Sequence, residues 1–153
     1  MLRLSNVVIN GDSTISMPEK CTQPVRHAVD MIMRDHKKVF GKMPNLISPN
    51  TETADIVVRY ASNHEECPKR PEAFSFRFVE NNEKLSFHIV GYDDLGIIYG
   101  LLHYSHQYLE VDPFWFWADL PIKQKSEIHI PAVLFNSPEK KVKYRGWFVN
   151  DEV

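Results

Sequence analysis

Apolar and polar positions alternate and recur along this chain in patterns that predict most of its elements. Residues 2–9 are rich in Val and Ile and loosely alternating, which predicts a strand. Asn10-Gly11-Asp12 reads as a tight turn, with residues 13–17 as the hairpin partner. Pro18 ends that strand, and Pro24 suits the first turn of a helix, where its missing N–H costs nothing. From there Val25, Ala28, Val29, Ile32, Met33, Val39 and Phe40 recur at three and four residues up to Gly41. This spacing predicts an amphipathic helix with a glycine stop. His27, His36, Lys37 and Lys38 fall largely on its opposite, solvated face.

Residues 45–48 suggest a short strand, and Asp55-Ile56-Val57-Val58-Arg59-Tyr60 a central one. A helix between strands implies a right-handed crossover with parallel flanking strands. Residues 63–73 are polar, carry Pro68 and Pro71, and read as a loop. Phe74, Phe76 and Phe78 then alternate with Ser75 and Arg77, and Leu85, Phe87 and Ile89 alternate with Ser86 and His88. With Asn81-Asn82 between them, these are two antiparallel strands, each with one apolar face.

The stretch 92–121 organises the rest. Asp93 or Asp94 can cap a helix. Leu95, Ile98, Tyr99, Leu102 and Tyr108 define the face expected to be buried. Gly96 and Gly100, four apart, leave a smooth strip where another backbone can approach. After Asp112-Pro113 come four consecutive rings, Phe114-Trp115-Phe116-Trp117, closed by Ala118-Asp119-Leu120-Pro121. Four rings in a row cannot alternate across a sheet without exposing one, so one ring pair is expected in the core and the other at a surface. Two readings stand: all four cap the core, or Trp115 or Trp117 faces a partner domain or a sugar ring. Residues 126–130 read as a strand, 135–141 as a polar linker, and 142–149 as a strand whose continuation is missing. The fold expected is α+β: a two-layer sandwich, a mixed β-sheet with two amphipathic helices on one face.

Composition narrows the function classes. The chain has 153 residues, 43% of them hydrophobic, enough to bury one core. Eighteen basic against 20 acidic residues give a net charge of −2, so neither nucleic acid nor an anionic membrane is expected as a partner. No run approaches the ~20 apolar residues of a membrane span, and the start lacks the apolar core of a signal peptide. A cytoplasmic location is expected, or a secreted one if a leader has been removed. Cys21 and Cys67 are too few for a disulfide framework and read as free thiols. His103-x-x-His106 and His64-x-x-Cys67 have spacings that metal sites use, but without a second matching pair they read as ordinary histidines. No metal and no cofactor is expected. Ser137-Pro138-Glu139-Lys140 matches a serine-acylase pattern by letters alone, with a proline inside it.

Tyr99-Gly100-Leu101, Trp115-Phe116-Trp117-Ala118-Asp119-Leu120-Pro121 and Lys143-Tyr144-Arg145-Gly146-Trp147-Phe148-Val149-Asn150-Asp151-Glu152 together resemble the amino-terminal region of xylan alpha-1,2-glucuronidases, glycoside hydrolase family 115. The helix is also similar to the domain preceding the catalytic barrel of beta-hexosaminidases. Phe114 and Phe116 depart from the expected Tyr or Trp, and Trp147 from an aliphatic residue. The resemblance implies that residues 1–140 form an accessory α/β domain preceding a catalytic barrel. Residues 141–153 would be a linker and the first barrel strand, with the missing barrel as this chain's own partner.

Side chains just beyond such a strand point into the mouth of the barrel. Asn150, Asp151 and Glu152 are therefore expected to bind substrate or assist the reaction. Glycoside cleavage commonly uses two carboxyl groups about 5 to 10 Å apart. Asp151 and Glu152 are adjacent, so on an extended strand they point to opposite sides and cannot form that pair alone. No catalytic residue is assigned within the chain, and the chain alone is expected to be inactive. Trp115, Trp117 and Asp119 are expected to line the substrate cleft, because indoles stack on the apolar side of a sugar and a carboxylate accepts its hydroxyls. The function expected is thus that of a non-catalytic domain of a hydrolase acting on plant cell-wall polysaccharide such as glucuronoxylan. The alternative is an independent carbohydrate-binding or protein-interaction module.

Overall fold

A computed structural model describes residues 6–81 and 84–146. The first strand, β1 (Asn6–Asn10), buries Val7 and Ile9 and turns Val8 outward, as its alternation predicts. The turn after it forms as well: Asp12 N–H donates to Asn10 Oδ1 at 2.8 Å, and Ser13 N–H to the Asn10 carbonyl at 3.2 Å. The predicted hairpin does not form. β1 pairs antiparallel with β7 (Glu127–Pro131) in a sheet of two. β2 (Thr14–Ser16) joins a second sheet, parallel to both β3 (Asn45–Leu46) and β4 (Ile56–Tyr60). The deciding contact is long-range. Thr14 donates both its N–H and its hydroxyl to Asp55 Oδ2, each at 2.7 Å, which fastens β2 beside β4.

Between β2 and β4 runs α1 (Gln23–Phe40), with Pro24 in its first turn and Gly41 ending it at φ 77°. It buries Val25, Ala28, Val29, Ile32 and Val39, as the spacing predicts. It also buries His36, which the sequence reading placed on the solvated face. Position 36 follows Ile32 by four residues and so lies on the apolar stripe. The Tyr104 hydroxyl, 2.9 Å from His36 Nε2, supplies a polar partner to one of its two buried ring nitrogens.

β4 is also parallel to β6 (Lys84–Gly91), and β6 pairs antiparallel with β5 (Phe74–Asn81), Phe76 opposite Ile89 and Phe78 opposite Phe87. Residues read as the start of a polar linker instead form β8 (Phe135–Asn136), which pairs with β5 and completes a mixed six-stranded sheet in the order β3-β2-β4-β6-β5-β8. Two residues are too few to show any periodicity. The fold is α+β, with the helices packed on the face of the sheet that carries Phe76, Phe87 and Ile89.

The second helix, α2 (Asp94–Tyr104), is capped by Asp93, whose Oδ1 accepts from Gly96 N–H at 2.8 Å, and it continues into a π-helical turn, Ser105–Leu109. Its glycines mark the close approach. A Cβ on Gly96 would lie 2.1 Å from the Ala73 carbonyl oxygen, and one on Gly100 would lie 2.7 Å from Ile89 Cγ2. The buried face therefore differs from the predicted one. α2 buries Gly96, Ile97, Gly100, Leu101 and Tyr104. Leu95 and Leu102 are 46% and 41% exposed, and Ile98 and Tyr99 half-buried. The helix is apolar on two stripes, so periodicity does not choose between them; only the glycine side can come this near to backbone.

Gly96→Ala is expected to cost about 3 kcal/mol or more, because a fixed backbone carbonyl blocks the methyl, and Gly100→Ala less, about 2, because it meets a side chain that must shift within the core. Urea denaturation of both variants tests this, and equal losses would contradict the packing described. Burial lowers the His36 pKa from 6.5 to about 4. The unfolded chain thus holds that proton more readily, and stability is expected to be full above pH 6.5 and to decline as the pH falls towards 4. A His36→Gln variant should show a shallower decline in its denaturation midpoint across that window.

Candidate functional site

Three of the predicted site residues lie on one compact turn. Asp112 starts it: its Oδ1 accepts from Phe114 N–H at 2.7 Å and its carbonyl from Trp115 N–H at 3.0 Å. The Phe114 carbonyl then accepts from Ala118 N–H, and the Trp115 carbonyl from Leu120 N–H, both at 2.9 Å. Asp119 takes the left-handed conformation, φ 49°, which Asp tolerates better than most residues. Because the segment is a turn and not a strand, it separates the rings differently from the expectation of a buried pair. Trp115 packs against the core, with Lys38 Nζ 3.8 Å over its ring. Phe116 and Trp117 are 65% and 82% exposed, and Asp119 is exposed beside them. Successive rings meet nearly at right angles, 79° between Trp115 and Phe116 and 85° between Phe116 and Trp117. The aromatic run is thus an edge-to-face series in place of a flat platform.

Asn150, Asp151 and Glu152, like Trp147, lie outside the described residues. Of the strand expected over 142–149, the described part, 142–146, forms no regular strand. It is tied instead to the loop before β5. Glu72 Oε2 accepts from both Lys140 and Arg145, the latter at 2.6 Å, and the Arg145 guanidinium lies 5.1 Å over the Tyr99 ring. Lys140, then Arg145, hold the Glu72 carboxyl below its usual range. Arg70 donates to the Ser137 carbonyl, and Ser137 exchanges two hydrogen bonds with the Phe74 backbone, at 2.9 and 3.0 Å.

A cleft of about 510 Å³ opens between α2 and this outgoing segment. Phe74, Tyr99, Leu102 and Phe135 form its apolar wall, where the Phe135 ring stacks on His103 at 4.9 Å and 15°. Arg70, Glu72, Lys140 and Arg145 form its rim. A second cleft, about 400 Å³, lies beyond Leu102 and includes Met31, Lys38 and Trp115. Both share Leu102, His106 and Pro113, so one band of surface runs from Trp115 to Arg145. Trp115 belongs to that band; Trp117 and Asp119 line neither cleft.

The reverse face of the sheet holds a polar cluster that the sequence reading missed. Arg59 grips Glu66 with two nitrogens, at 2.8 and 3.0 Å, and its Nε donates to His88 Nδ1 at 3.1 Å. Ser62 adds its N–H and hydroxyl to Glu66, each at 2.9 Å. The Arg59 donors above all bring Glu66 down to about 2, while burial and then the Arg59 charge lower His88 to about 4. This cluster fastens the 61–73 loop over the sheet. Its signal in the sequence was a charged residue, Arg59, in the otherwise apolar run that begins at Ile56. Among the described residues no group of three or more His, Cys, Asp or Glu is placed to hold a metal, and no helix is long and apolar enough to cross a membrane.

No family model matches the chain, and no curated protein sequence does. Solved structures do match its fold. A family GH115 4-O-methyl-alpha-glucuronidase, BtGH115A, with specificity for decorated arabinogalactans, superimposes with a TM-score of 0.68 at 23% identity, over 85% of this chain and 18% of that one. The Streptomyces plicatus N-acetyl-beta-hexosaminidase gives 0.59 at 10% identity, over 86% of this chain and 23% of that one. Flavobacterium johnsoniae chitobiase, FjGH20, gives 0.56 at 14%, over 89% and 19%. The fold is therefore one that recurs inside glycoside hydrolase chains. This chain spans less than a quarter of the length of each of the three.

Trp115→Ala is expected to destabilise the chain by about 2 kcal/mol through lost packing, whereas Trp117→Ala should change stability by less than about 0.5. Thermal unfolding of the two variants side by side checks the assignment of inner and outer rings.

Proposed function

We propose that this chain is a non-catalytic accessory domain of a glycoside hydrolase, and that the outer stripe of α2 docks it onto the catalytic domain. In this reading residues 1–140 form the accessory domain, and residues 141–153 lead into the first barrel strand. The carrying observation is the two-sided character of α2. A helix that is apolar all round is normally covered on all sides. The inner stripe of α2 meets the sheet, while Leu95 and Leu102 remain exposed, Leu102 beside Met31, itself 45% exposed. Arg145 lies over Tyr99 on that same stripe, so the outgoing chain already runs along the face to be covered. The much greater length of the matched glycoside hydrolases supports a further domain.

The finer reading is an alpha-glucuronidase acting on glucuronoxylan. It draws on the GH115 neighbour, whose own specificity is for decorated arabinogalactans, so both polysaccharides belong in the assay. Trp115, Trp117 and Asp119 would line one side of the substrate cleft, with Asn150, Asp151 and Glu152 at the barrel mouth. The first experiment compares release of glucuronic acid from glucuronoxylan and from arabinogalactan by two proteins, the 153-residue chain and the full-length product of its reading frame. Activity in the full-length protein alone is expected; activity in neither removes the hydrolase reading. The exposure of Trp117 favours a second reading, an independent carbohydrate-binding module. That reading takes over if the chain alone binds xylan, Trp117→Ala abolishes the binding, and the full-length protein is inactive.

Docking through α2 has its own consequence. Leu102→Glu should leave the stability of the 153-residue chain nearly unchanged, and should weaken the full-length protein by on the order of 2 kcal/mol, because there the charge is buried. Calorimetry of both proteins measures the difference, and equal small effects would move the interface elsewhere.

A further inference from the structure

We propose that the cleft between α2 and the outgoing segment is a binding site for a carboxylate-bearing sugar residue of an acidic glycan, apart from any reacting centre. This rests on the carbohydrate reading above. Its volume, about 510 Å³, falls within the range of small-molecule sites, roughly 300–1,000 Å³. Its lining combines two kinds of residue. Phe74, Tyr99, Leu102 and Phe135 offer an apolar surface, to which the C–H face of a pyranose ring is complementary.

The lining also carries Arg70, Lys140 and Arg145, with Glu72 as the one carboxylate among the described lining residues. An adjoining groove, which shares Arg70, Glu72 and Lys140, adds Lys141 and Lys143 against Glu139 alone. Among the described residues five cations thus stand with two carboxylates in one corner of a chain whose net charge is −2. The positive field is local and belongs to the cleft. Glu72 does not cancel it. A single oxygen of that side chain accepts from both Lys140 and Arg145, which orients the two cations and leaves them in excess. A neutral glycan would leave these donors unmatched, and a nucleic acid would need a basic track longer than a chain of this net charge provides. The concavity favours a sugar carboxylate over a broad acidic protein face. Leu102 belongs both to this cleft and to the docking stripe, so the site would lie along a domain seam, a common place for ligands.

The test uses the 153-residue chain and isothermal titration with three probes: a xylo-oligosaccharide carrying one glucuronate branch, its undecorated counterpart, and free glucuronate. The decorated oligosaccharide should bind, and the undecorated one should bind at least about tenfold more weakly. Free glucuronate should compete if the carboxylate is the main determinant. A Lys140→Gln, Arg145→Gln double variant, shown to be folded by circular dichroism, should lose about tenfold or more in affinity for the decorated ligand. Lys140→Arg, which keeps the charge, should retain most of it. Equal binding of the two oligosaccharides, indifference to the double substitution, or no binding overturns the proposal. If no binding is found and the full-length protein still releases glucuronic acid, the cleft proposal fails alone and the hydrolase reading stands. If the double variant instead loosens the full-length protein without any effect on glycan binding, the cations meet an acidic face of the next domain, and the sugar site is refuted.

Discussion

The approach of α2 to the loop before β5 governs much of this molecule. Gly96 lies so near the Ala73 carbonyl that no side chain fits between them, and Asp93 locks the junction from both sides. Its Oδ1 caps the helix through Gly96 N–H, and its Oδ2 accepts from Glu72 N–H at 2.9 Å. Tyr92 N–H completes the seam by donating to the same Ala73 carbonyl at 2.9 Å. The helix start and the loop therefore cannot shift independently. Everything on the outer surface inherits its position from that seam: the stripe of Leu95, Tyr99 and Leu102 because the helix cannot rotate, and Glu72 because its backbone is held beside the helix cap.

Glu72 then passes the order on. Its own backbone is left-handed, φ 63°, which turns its carboxylate towards Lys140 and Arg145 and lays residues 137–145 across the face of α2. On the opposite side of the sheet, Arg59, Glu66 and His88 perform the corresponding task for residues 61–73. The two polar clusters lie at the two ends of one loop. A loop of this length with two prolines would otherwise lose much conformational freedom on folding for little apolar burial. Charge-assisted bonds at both ends offset that cost and leave the sheet's edges to short strands.

One face of the sheet is thus closed by a loop and the other by helices whose outer stripe is apolar. The glycoside hydrolase structures that share the fold are about four to six times longer than this segment of them, as their coverage of 17–23% indicates. What the fold presents chemically is an edge: a cationic, partly aromatic cleft beside the exposed apolar stripe of α2, and an exposed aromatic turn.

Much of this was legible from residue order, and the rest divides along a physical line. Local and periodic signals sufficed for α1 with its glycine stop, for the β5–β6 hairpin, for the cap at Asp93, and for the close approach at Gly96 and Gly100. Each depends on side chains within one element, or on backbone freedom at one residue. The partner of β1, the existence of β8, the burial of His36 and the choice between the two apolar stripes of α2 were not legible. Each was decided by an atom far away in sequence: Asp55 for β2, Phe76 for Phe135, Tyr104 for His36, Ala73 for Gly96. The same holds for the site. Sequence alone determined which residues were aromatic and that at least one of four consecutive rings would be exposed. Only the tertiary structure decided that Trp115 turns inward beneath Lys38 while Trp117 stays out, and that Arg70, Lys140 and Arg145 share one rim, because those placements are set by packing between segments and not by preferences within them.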